Sequence, residues 1–162
     1  LAHGHLREKN MSLVGQTAPE FNLKDTEHNW VRLSDLRGKK VILAFYPAAF
    51  TGVCEKEVCT FQENLSALQD AGAEMFGISV DAPFSNAAFR DQTGAQYALL
   101  SDPACETIKA YDVVFPDFAE IEGYTVAKRS VFIVDEKGVI TYEWIAPNPG
   151  VEPDYAAVKA GL

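Results

Sequence analysis

The chain reads as an α/β sandwich, a central mixed β-sheet flanked by helices. Three observations carry that expectation. Apolar runs of strand length alternate with segments of helical periodicity along most of the chain. A hairpin pattern near the end adds antiparallel strands to what is otherwise an alternating order, which makes the sheet mixed. At 162 residues with 48% hydrophobic content, the chain can bury one sizeable core in a single domain.

The elements follow in order. Residues 1–10, Leu-Ala-His-Gly-His-Leu-Arg-Glu-Lys-Asn, precede Met11 and have no apolar signal-peptide core. They read as a vector-derived extension, leaving 11–162 as the domain. Residues 20–23 and 30–33 form a hairpin around the polar stretch 25–29. The continuous apolar run 41–46 is a buried strand. A helix spans 51–71 and stops near Gly72. Residues 74–80 are a strand, and a helix over 83–93 ends at Gly94, which can take the left-handed conformation a helix end favours. A short strand covers 97–100. Asp102 then caps a helix with Pro103 at its first position, running to residue 111. The long connection 113–128 is either a functional loop or a packed surface excursion. Residues 131–134 and 139–144 form the second hairpin, turning at 135–138, and 153–162 is a final helix.

Charge and composition narrow the partners. The net charge is −9, from 14 Lys and Arg against 23 Asp and Glu. That balance argues against nucleic acid or an anionic membrane as a partner, although a saline habitat also produces acidity. The longest apolar run, 41–50, is too short to span a bilayer and contains a proline. No export signal is visible and the three cysteines are an odd set. Both point to a reducing cytoplasm and to reactive rather than structural thiols.

The chemistry centres on Cys54. It falls in the first turn of a helix that begins at the carboxyl end of a buried strand. Unpaired N–H groups and the positive end of the helix dipole favour thiolate there. Thr51 has the chemistry of an N-cap, which makes Cys54 the N3 residue. The alternative is a core cysteine, because Val58, Phe61, Leu65 and Leu68 continue its apolar face. Cys105 also falls at N3 if Asp102 caps its helix, so helix position alone does not single out one thiol. It reads as structural or incidental. Cys59, five residues after Cys54, is a resolving thiol or a small residue on the helix flank. A metal site from Cys54, Cys59, Cys105 and one histidine is the rival. Its spacing lacks the short Cys-x2-Cys of common zinc sites, and two of the three histidines lie in residues 1–10.

Pro47-x3-Thr51-x2-Cys54 resembles the active-site motif of the peroxiredoxins, thiol peroxidases built on a thioredoxin fold. The similarity extends through Gly15-Gln-Thr-Ala-Pro19-Glu-Phe21-Asn-Leu23, Arg37-Gly38-Lys39-Lys40-Val41 and Leu99-Leu100-Ser101-Asp102-Pro103. It ends with Arg129-Ser130-Val-Phe-Ile-Val-Asp135-Glu-Lys-Gly138, covering residues 13–160. The nearest types resembled are the bacterioferritin comigratory protein and the related alkyl hydroperoxide reductase E. The resemblance implies a thioredoxin-like sandwich that reduces hydrogen peroxide and small organic hydroperoxides through a Cys54 sulfenate. It implies that Thr51 and the Cys54 N–H bind peroxide, that Arg129 serves thiolate and peroxide, that Pro47 shields the sulfur, and that Glu57 buttresses Arg129. It implies no cofactor or metal, and a thioredoxin-like or other thiol reductant. Both dimers and monomers occur among the relatives resembled. Cys-x4-Cys matches the resolving cysteine of some bacterioferritin comigratory types, which casts Cys59 in that role. A peroxide sensor or holdase on the same fold, with little turnover, is the alternative function.

Overall fold

The computed structural model describes residues 12–162. The reading of residues 1–10 as an extension lies outside them. Fifteen elements run in the order β1 (Asn22–Lys24), β2 (Trp30–Arg32), a 3-10 turn (Leu33–Leu36), β3 (Lys40–Phe45), α1 (Gly52–Asp70), β4 (Ala73–Ser79), α2 (Pro83–Thr93), β5 (Ala98–Ser101), α3 (Glu106–Ala110), β6 (Val114–Phe115), a second 3-10 turn (Phe118–Glu120), β7 (Val126–Ala127), β8 (Ser130–Val134), β9 (Ile140–Ile145) and α4 (Tyr155–Ala160).

Seven strands form one mixed sheet in the order β2-β1-β5-β4-β3-β8-β9. β3, β4 and β5 pair in parallel, while β8 runs antiparallel to β3 and β9 antiparallel to β8. Side chains alternate across a strand, so each central strand feeds two cores. Val41, Leu43 and Phe45 of β3 join Phe76, Ile78, Leu100 and Phe132 on one face, covered by Ile108, Tyr111 and Val113. Ile42, Ala44 and Tyr46 face the other way with Met75, Leu99, Val131 and Ile133. There α1 lays down Cys54, Val58, Phe61, Leu65 and Leu68, a stripe at helical spacing. A Cβ on Gly77 would sit 2.7 Å from Leu99 Cδ2 and 3.2 Å from Tyr46 Cε1. A side chain there would force Leu99 and Tyr46 to shift.

Most predicted elements occur with ends shifted by a residue or two. The prediction for 102–111 needs correction. The Asp102 carbonyl accepts the Cys105 N–H at 3.0 Å, closing a turn over Pro103 and Ala104 before the helix begins. α3 starts only at Glu106, and Cys105 is its N-cap residue at φ 62°, not N3. Asp102 still serves as a cap, because its Oδ2 accepts the Ile108 N–H at 3.0 Å. The connection 113–128 contains the β6–β7 ladder, extended by the Lys128 N–H on the Val113 carbonyl at 2.7 Å. No helix among the described residues is long and apolar enough to cross a membrane.

Candidate active site

The site forms where β3 ends, α1 begins and β8 begins. The pairing of Phe45 with Ser130 sets Arg129 beside the segment leaving β3. α1 then starts at Gly52 and carries Cys54 into its first turn. Cys54 is fully buried, and Arg129 is 2% exposed. The Arg129 Nη2 donates to Cys54 Sγ at 3.1 Å. Its Nη1 donates to Glu57 Oε2 in a short, buried ion pair. Its Nε donates to the Pro149 carbonyl at 3.1 Å. One planar fork thus meets three acceptors at once, a geometry lysine cannot reproduce.

Glu57 lies one helical turn after Cys54 on the same face, and it is 1% exposed. It is therefore not a solvated helix residue. Burial pushes its carboxyl up to about 7, against the pull of Arg129 and with some help from Glu152. Oε1 explains why burial wins: it is buried with no hydrogen-bond partner. Burial works against the Arg129 charge, but Glu57 and Cys54 outweigh it and raise the Arg129 pKa.

Thr51 occupies the N-cap position at φ −88°, ψ 144°, but its side chain makes no capping hydrogen bond. That part of the expectation is corrected. Its Oγ1 donates instead to the Ala48 carbonyl at 2.8 Å, tightening the loop ahead of the helix. The N–H groups of the first turn therefore stay free of a side-chain cap from Thr51. Pro47 is buried. With Phe115, Arg129, Pro147 and Pro149 it lines a pocket of about 80 Å³. A larger groove of about 660 Å³ lies between Phe21, Trp30 and Pro103. None of the predicted site residues lines it, whereas Pro47 and Arg129, the donor to Cys54, line the smaller pocket.

Cys59 is half-buried within the unbroken α1, and its thiol is raised by burial and by Glu55 and Glu63. Five positions on an ideal helix separate two Cα atoms by about 8.6 Å, beyond the ~4.4–6.8 Å of a disulfide. Cys54 and Cys59 are both free thiols here. Cys105 is the N-cap residue of α3 and is not among the hydrogen-bond partners of Arg129; burial and Asp102 raise its thiol. Among the described residues no cluster of three or more His, Cys, Asp or Glu is placed to hold a metal ion. Sequence reasoning missed the segment after β9. Lys56 bridges to Glu152 at 3.1 Å, and Tyr155 donates to the same carboxylate at 2.9 Å, so this strap closes over the first turns of α1. Three prolines in 147–153 were the available signal for an ordered, non-helical strap.

The comparisons agree with one another. A model described as the AhpC/TSA family matches residues 14–143. A Mycobacterium tuberculosis sequence named as a peroxiredoxin is 44% identical over 128 residues, 78% of this chain and 80% of that one. A Coxiella burnetii sequence carrying the peroxiredoxin name bcp is 38% identical over 149 residues, 92% of this chain and 97% of that one. Among solved structures, Peroxidoxin BcpB from Mycobacterium tuberculosis superposes with a TM-score of 0.80 at 29% identity, covering 93% of this chain and 95% of that one.

Proposed function

This chain belongs to the AhpC/TSA family and is a peroxiredoxin, a thiol-dependent peroxidase, and on that premise we propose which of its atoms do the work. Cys54 is the nucleophile. Its thiolate attacks one peroxide oxygen, the O–O bond breaks, and the second oxygen leaves as hydroxide or alkoxide that takes up a proton. Cys54 is left as a sulfenic acid. The single observation that carries this reading is the Arg129 fork, buried against both Cys54 Sγ and Glu57. A fixed donor beside the sulfur steadies negative charge there and at the breaking O–O bond.

Thr51 and the Cys54 N–H are the peroxide's hydrogen-bond partners at the free start of α1. Pro47 keeps water from the sulfur, and Glu57 holds the guanidinium in its plane. A thiol reductant returns the sulfenate to thiol, and a dithiol protein of the thioredoxin kind fits that task. Cys59 is the resolving thiol: it condenses with the sulfenate, releasing water and leaving a Cys54–Cys59 disulfide for the reductant.

Peroxide consumption with dithiothreitol as reductant tests the nucleophile. Cys54→Ser is expected to abolish turnover, while the wild type consumes many equivalents of peroxide. Retained turnover in Cys54→Ser would remove Cys54 from the reaction. A wild type that reacts once per molecule and stops would make the protein a sensor.

A further inference from the structure

A polar network approaches the catalytic loop from behind. Tyr46 follows β3, Ser79 ends β4, Ser101 ends β5 and Asn86 lies in α2; all four are buried. The Tyr46 hydroxyl donates to Asn86 Oδ1 at 2.6 Å. Asn86 Nδ2 donates to Ser101 Oγ at 3.0 Å and to Ser79 Oγ at 3.2 Å. Ser79 spends its one hydroxyl proton on Asp81 Oδ2 at 2.8 Å. The Asp81 N–H in turn donates to Ser79 Oγ at 3.3 Å.

The network ends on the loop that carries the chemistry. Asp81 Oδ2 also accepts the backbone N–H of Ala49 at 2.8 Å. Ala49 sits between Ala48, whose carbonyl takes the Thr51 hydroxyl, and Phe50, whose φ is 66°. A left-handed phenylalanine is strained and persists only where its surroundings hold it. Two hydrogen bonds brace this one, Thr51 to Ala48 from inside the loop and Ala49 to Asp81 from just beyond β4, alongside the packing of its ring on Phe89 at 5.3 Å. Only the second ties the loop to the sheet's buried network.

We propose that Asp81 is a positioning residue: it holds loop 47–51 in the form that presents the start of α1 to peroxide. The proposal rests on Cys54 being the peroxide-reactive thiol. Asp81 itself touches neither Cys54 nor Arg129 by any hydrogen bond; it acts through the Ala49 amide. Release of that amide lets Phe50 relax toward ordinary φ values, which swings Thr51 and the free N–H groups away from the pocket.

The experiment is single-turnover oxidation of Cys54 by one equivalent of hydrogen peroxide, read by quenched flow and intact mass. Wild type, Asp81→Ala, Asp81→Asn and Ser79→Ala are compared, with amide exchange of residues 47–51 as the structural readout. Asp81→Ala is expected to slow Cys54 oxidation about tenfold or more, the ~1.4 kcal/mol equivalent of one charge-assisted hydrogen bond. Exchange in residues 47–51 should quicken while β4 stays protected. Asparagine keeps an acceptor for both donors and should stay within about threefold of wild type. Should Asp81→Ala fail to fold, Ser79→Ala serves, since it removes the donor that orients Asp81 and should slow oxidation about threefold. A wild-type rate in Asp81→Ala, equal losses in the alanine and asparagine variants, or a wild-type rate in Ser79→Ala overturns the proposal. Failure of wild-type Cys54 to oxidise would overturn the nucleophile assignment instead.

Discussion

Replacing Glu57 with glutamine will flatten the fall in stability that the wild type suffers as pH rises from about 5 to about 7.5. Burial raises the native carboxyl from 4.5 to about 7. Between those values the native state keeps a proton that the unfolded chain has released. Raising the pH therefore favours unfolding, and the stabilisation present below the lower value is gone above the upper one. Each unit corresponds to ~1.4 kcal/mol, so the full window amounts to roughly 3 kcal/mol and the accessible part of it to on the order of 2 kcal/mol. Glu57 is 1% exposed, so solvent screening removes little of this. The assay is urea denaturation of wild type and Glu57→Gln at both pH values. The quantity read is the difference between the two proteins in how much each loses, which cancels the other carboxylates. Glutamine strands an amide donor where Oε1 has no partner, so its baseline stability should also be lower. Parallel losses in the two proteins would refute the reasoning. They would mean that Arg129 keeps Glu57 ionised throughout and that burial does not prevail.

Arg129→Met should slow Cys54 oxidation by about a hundredfold or more, as loss of a buried donor to developing charge does. Lysine should recover only part, because one ammonium cannot reach Cys54, Glu57 and the Pro149 carbonyl together; stopped-flow rates for the three proteins decide this. Peptide mapping after one equivalent of peroxide should find a Cys54–Cys59 linkage, with faster amide exchange across 51–62 in the oxidised form. The about 8.6 Å helical separation cannot close without unwinding the first turns. Persistent sulfenic acid at Cys54, or the same fate in Cys59→Ser, would make this a one-cysteine enzyme. Cys105→Ser should consume peroxide at the wild-type rate, and a loss matching that of Cys54→Ser would overturn the division of labour among the thiols.

Much of the fold is local and therefore legible in the chain. The run from Val41 to Phe45 is apolar without a break because both its faces are covered, so a central strand declares itself. Cys54, Val58, Phe61, Leu65 and Leu68 recur at helical spacing because they share one buried face. Gly94 marks the end of α2 because its φ of 72° suits glycine. The Pro47-Thr51-Cys54 spacing is equally local, and it singled out Cys54 as the thiol proposed here to attack peroxide.

What the chain did not display depends on hydrogen bonds between residues distant in sequence or on a contest between local options. Thr51 has the chemistry of an N-cap, yet its hydroxyl donates to the Ala48 carbonyl and accepts from no N–H of the first turn. Asp102 and Pro103 have the pattern of a helix start, yet a turn closes first and moves α3 three residues on. Glu57 owes its expected place beside Arg129 to the family resemblance and not to periodicity, and the partner that accompanies it into the interior comes from 72 residues away. Periodicity records which side of an element faces the core, whereas the partner waiting there is chosen by sheet order. The pairing of β3 with β8 is what brings Arg129 within 3.1 Å of a sulfur 75 residues earlier.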